Sequence, residues 1–175
     1  MFNFFRRKKV NLSTIEPIVS QKYGIIFKCR EIFNGYDYIA EVPWKDGKIL
    51  FYLESGSKKS FSIDKALAYF EKMFENFTWW DETIKQKFVE GIFDGKEIAN
   101  IPNWSEWNAE DEDSWHIKMT KKEFYNLVQI DTIQIKKDGK IRVDVRLDGD
   151  RELVSPDGMW ILTEITGTNF AVDID

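Results

Sequence analysis

The stretch from Ser62 to Phe93, SIDKALAYFEKMFENFTWWDETIKQKFVEGIF, constrains the fold more than any other part of the chain. In its first half Ile63, Leu67, Phe70, Phe74 and Phe77 recur at steps of four, three, four and three residues. On a helix turning every ~3.6 residues, those side chains share one side. That side is apolar and needs a cover, whereas Glu71, Lys72, Glu75 and Asn76 fall elsewhere on the wheel and can stay hydrated. A second helix is predicted from Asp81, whose carboxylate can accept from the unpaired N–H groups of a helix start, with Ile84, Phe88 and Ile92 repeating every fourth residue. The spacing predicts two amphipathic helices hinged at Thr78-Trp79-Trp80-Asp81, and a surface elsewhere for them to cover.

Strand patterns on both sides supply that surface. From Tyr23 to Glu54, Tyr36, Tyr38, Ala40 and Val42 alternate with Asp37, Ile39 and Glu41, and Ile49, Phe51 and Leu53 share a face. The dipeptides Asn34-Gly35 and Asp46-Gly47 tolerate the positive φ of tight hairpins, so a three-stranded antiparallel meander is predicted. Gly56 to Ser60 reads as a polar linker, and Lys96 to Asn100 as a short helical piece. Thr120 and Glu123 form a capping box for a short helix carrying Phe124, Leu127 and Val128. Beyond it Ile133 and Ile135, a Lys137-Asp138-Gly139-Lys140 turn, and Ile141, Val143, Val145 and Leu147 alternating with Arg142, Asp144, Arg146 and Asp148 predict a half-buried hairpin. Two further strands are predicted over Met159–Thr166 and Phe170–Ile174. The expected fold class is α+β: one antiparallel sheet or two, a central amphipathic helical pair and a short third helix. A single domain over residues 11–175 is expected behind a flexible basic N-terminus, residues 1–10.

Composition bounds the rest. With 175 residues, 43% of them hydrophobic and including 14 Phe and 7 Trp, the chain has material for one substantial core. The single cysteine, Cys29, has no intramolecular partner and, beside Ile26 and Phe27, reads as a buried thiol of a reducing compartment. The opening MFNFFRRKKV places aromatics before cations, the reverse of a secretory signal, and no apolar run approaches the ~18 residues of a membrane span. A soluble cytoplasmic protein without stable membrane association is expected. The net charge is −5, and setting aside the four cations Arg6, Arg7, Lys8 and Lys9 leaves −9 on the remainder. So acidic a body disfavours nucleic acid, whose phosphates need clustered Lys and Arg, and favours a basic protein partner, or none.

The segment from Trp104 to His116 fits neither the helical nor the strand period and is expected to be a loop. It carries five carboxylates (Glu106, Glu110, Asp111, Glu112 and Asp113) and three indoles, without one Lys or Arg. Indoles bring large contact area, and carboxylates speed encounter with a positively charged partner. The partner-binding candidates are therefore Trp104, Trp107, Glu110, Asp111, Glu112 and Asp113, with an acidic loop pinned by its indoles as the structural alternative. Asp111, Asp113 and His116 do not form a calcium-loop pattern, and one His in the chain excludes any site needing two imidazoles, so no metal or other cofactor is expected. No glycine-rich phosphate cradle is present, Cys29 and His116 lie far apart in sequence, and no catalytic residue is assigned.

Trp80-Asp81-x-x-Ile84, Ile98-Ala99-Asn100, Asn103-Trp104, Thr120-x-x-Glu123-Phe124 and Ile133-x-Ile135-x-x-Asp138-Gly139 together resemble the bacterial domain of unknown function 2262 family, over about Ile49 to Ile174. The resemblance implies a small α+β fold and no assigned activity. The family's Gly-His pair before the penultimate strand is absent here, where Leu153-Val154-Ser155-Pro156-Asp157-Gly158 stands, so no role of that histidine carries over. Small acidic proteins of this sort are also similar in style to immunity proteins that block the toxins of competing bacteria. The functional expectation is a binding protein rather than an enzyme, an immunity protein that neutralises a basic toxin domain. The alternative is a small-molecule binder or enzyme with a pocket near Trp79 and Trp80. Oligomeric state is not written in these residues.

Overall fold

A computed structural model describes residues 15–32, 35–45, 47–54, 62–102, 116–148, 159–164 and 167–174. The elements run β1 (Ile18–Ser20), β2 (Ile25–Ile32), β3 (Gly35–Trp44), β4 (Gly47–Glu54), α1 (Ile63–Glu75), α2 (Phe77–Phe93) and β5 (Ile98–Pro102). Then follow β6 (His116–Thr120), α3 (Lys121–Leu127), β7 (Val128–Ile135), β8 (Lys140–Leu147), β9 (Met159–Glu164) and β10 (Ala171–Ile174). Eight strands form one sheet in the order β1-β2-β3-β4-β7-β8-β9-β10, and β5 and β6 form a separate ribbon. The fold is α+β with a sheet dominated by antiparallel pairing, as expected.

The predicted meander is β2, β3 and β4, paired antiparallel with Tyr38 opposite both Cys29 and Leu53. The two strand regions join in one sheet because β4 pairs parallel with β7, Leu50 opposite Thr132 through Leu53 opposite Ile135. A parallel neighbour needs a long crossover, and α1, α2, the ribbon and α3 all lie within it. Side chains alternate across the sheet, so Phe27, Val42, Phe51, Leu53, Ile133, Ile135, Ile141, Val143 and Ile161 are buried on one face. The helices cover that face: Phe70 of α1 meets Phe27 and Phe51 edge-on, each with ring centroids 4.9 Å apart. The opposite face carries polar cross-strand contacts, including Arg30 donating to the Tyr52 hydroxyl at 3.2 Å and Gln134 donating to Glu54 at 3.0 Å.

Several local expectations shift. The helical corner lies at Asn76–Phe77, one turn earlier than the Thr78–Asp81 corner, so Asp81 is not the start of the second helix but sits inside it. Helix α1 starts where Ser62 accepts from the Lys65 N–H, and it buries Ala66, Phe70 and Met73, with Ile63, Leu67 and Phe74 half-buried alongside. Residues 98–100 are strand rather than helix, because β6 offers them a partner. The capping box forms as expected: Glu123 N–H donates to the Thr120 hydroxyl at 3.3 Å, and Thr120 N–H donates to the Glu123 carboxylate at 2.8 Å. The Thr120 hydroxyl, which donates to the Glu123 carboxylate at 2.6 Å, and next the Thr120 N–H hold that carboxyl below its usual range. Among the described residues of the β3–β4 hairpin, where Trp44 pairs with Gly47, Lys45 takes the left-handed conformation, with φ +50°.

Candidate functional site

The candidate residues Trp104, Trp107, Glu110, Asp111, Glu112 and Asp113 lie outside the described residues, but the elements that flank them are described. β5 and β6 pair antiparallel with Pro102 opposite His116 and Ile98 opposite Thr120. The acidic, indole-bearing segment is therefore the connection of a hairpin whose two ends are held side by side. The ribbon is tied into the body, β5 against α2 and β6 against α3. At the far end of the ribbon from that connection, Lys121 pairs with Glu97 at 3.2 Å and its N–H donates to the Glu97 carbonyl. Ile101 of β5 is buried, whereas Ile98 is 56% exposed and His116 is exposed.

A second polar constellation lies on α2. Asp81 is buried, and its Oδ1 accepts from the Trp44 indole N–H at 3.1 Å. Its Oδ2 accepts from Lys45 Nζ at 3.1 Å and lies 3.2 Å from Lys85 Nζ, one helical turn along α2. The Lys85 side chain is 9% exposed and that of Lys45 is 45% exposed, so one ammonium is inside and the other at the rim. The hydrogen bond to Asp81 is the main cause that raises the Lys45 pKa, and Tyr125 and Glu82 add to it through space. A lysine held more firmly protonated is a charge carrier, not a nucleophile. Sequence reading missed this cluster because it placed Asp81 at the start of the second helix, where its carboxylate would serve unpaired N–H groups, whereas the helix begins at Phe77. The only available signal was their place among Trp80, Ile84 and Phe88, which left little of that helix to face water.

The Trp79-Trp80 pair meets edge-on with centroids 5.1 Å apart, Trp80 buried and Trp79 50% exposed. The turn between β9 and β10 packs onto both indoles: a Cβ added at Gly167, φ +72°, would come within 2.9 Å of the Trp79 ring and 3.1 Å of the Trp80 ring. Cys29 is half-buried, and burial, with a smaller contribution from Asp37, pushes its thiol up in pKa, away from the thiolate that reacts. Among the described residues, no group of three or more His, Cys, Asp and Glu is placed to hold a metal ion, and no helix is long and apolar enough to cross a membrane.

The chain belongs to the family described as an uncharacterized protein conserved in bacteria, domain of unknown function 2262, whose family model matches residues 27–150. That span runs from within β2 through β8, including both the Asp81 cluster and the hairpin that carries the acidic segment. No curated protein and no solved structure matches the chain.

Proposed function

We propose, with that family membership as the premise, that the protein is a bacterial cytoplasmic binding protein, an immunity protein that neutralises a basic toxin domain by direct contact. The observation that supports this reading most is the pairing of Pro102 with His116, which makes the most acidic and indole-rich segment of the chain a hairpin connection anchored at both ends. Anchoring lowers the entropy lost when such a segment meets a partner, and that loss is a main opponent of tight association. In this reading Glu110, Asp111, Glu112 and Asp113 engage Lys and Arg of the partner's substrate-binding surface. Trp104 and Trp107 supply the desolvated area from which most interface energy comes. Inhibition is steric and electrostatic, and no substrate is transformed.

The test uses the full chain, tagged and recovered from its native host at low salt. The expected result is one retained basic protein, released as salt is raised, whose toxicity on expression is relieved by the native chain. The fourfold variant Glu110→Lys, Asp111→Lys, Glu112→Lys, Asp113→Lys is expected to fold, by circular dichroism, and to lose both retention and relief. No partner retained at low salt, or a fourfold variant that protects as well as the native chain, overturns the reading.

A further inference from the structure

We draw no further inference here: the strongest candidate, the exposed apolar pair Ile26 and Leu50 on the face of the eight-stranded sheet that the helices leave uncovered, lies among charges that pair with one another, Lys48 with Glu41 and Arg142 with Asp144, and nothing in the structure shows what covers it.

Discussion

Helices α1 and α2 follow one another with a single residue between them and carry similar apolar rows, yet they solve burial differently. α1 lays one stripe, Ala66, Phe70 and Met73, against the sheet and leaves its other side wet. α2 is enclosed by α1, α3, β5, β7 and β10, so a second row is buried beside Trp80, Ile84 and Phe88: Asp81, Lys85 and Val89. The approach is close on that helix, where a Cβ added at Gly91 would come within 2.6 Å of Val172 of β10. An enclosed helix has too few wet positions for its charges. Asp81 can stay inside only because Trp44, Lys45 and Lys85 meet it, and two of those come from the tip of the β3–β4 hairpin. The apolar stripe of α1 needs only shape, whereas the polar row of α2 needs named partners.

The largest effects separate these two solutions. Phe70→Ala removes the ring that meets Phe27 and Phe51 and is expected to cost about 3–5 kcal/mol in urea denaturation, with little dependence on salt. Asp81→Ala is expected to cost a similar about 3–5 kcal/mol for the opposite reason, since it leaves Lys85 buried without its carboxylate and the Trp44 N–H without an acceptor. The double variant Asp81→Leu, Lys85→Met is expected to be more stable than Asp81→Ala alone, because it removes both charges and fills their volume. A double variant as unstable as the sum of its parts would show that α2 depends on the ion cluster itself rather than on its neutralisation. Gly167→Ala probes α2 from its other side. The added methyl meets Trp79 and Trp80 and sits at positive φ, and an expected loss of about 1–3 kcal/mol checks whether those indoles are fixed or free to move.

How much of this was legible in the sequence follows the same division. The strands β2 to β4 and the β7–β8 hairpin show in Tyr38, Ala40, Val42 and in Ile141, Val143, Val145 because a sheet with one wet face writes a period of two. The Thr120–Glu123 box was readable because both partners lie within four residues. The Asp81 cluster was not, since Trp44 and Lys45 stand 37 and 36 residues away in sequence and nothing local marks them. The parallel union of β4 and β7 was equally silent: Glu54 and Gln134, bonded across it, are 80 residues apart. Ile98-Ala99-Asn100 read as helical because a five-residue strand has no room to show alternation, and only its partner β6 decides the matter. Of the proposed partner-binding surface, Trp104, Trp107 and Glu110 to Asp113 were singled out by composition, while the pairing that anchors their segment came from the fold.

Smaller effects sharpen the comparison at the borders of α2. Helix α3 covers α2 through Phe124, stacked on Phe88 with centroids 5.9 Å apart, and its start depends on the Thr120 cap. Thr120→Ala is expected to cost about 1 kcal/mol. Because Thr120 depresses the Glu123 pKa, the stability tied to that contact is present above the ordinary carboxyl value and disappears as pH falls through the lower folded value. The gap between native and variant should therefore narrow in acid, leaving the part owed to the Thr120 hydroxyl accepting from the Glu123 N–H.

At the other border Lys45 contributes from a half-exposed position, so screening by water limits its ion pair with Asp81, and Lys45→Ala is expected to cost no more than about 1 kcal/mol. Its pH dependence runs the opposite way from that of Glu123. The hydrogen bond to Asp81 raises the Lys45 pKa above the ordinary 10.5, so the stability it brings is complete below that value and is lost as pH rises through the higher folded one. Urea midpoints of native and Lys45→Ala chains should differ by a constant amount through neutral pH and converge only in strong alkali. Convergence already near neutrality would mean that Lys45 does not hold its proton against Asp81, and the rim of the α2 cluster would then be no more than a surface pair.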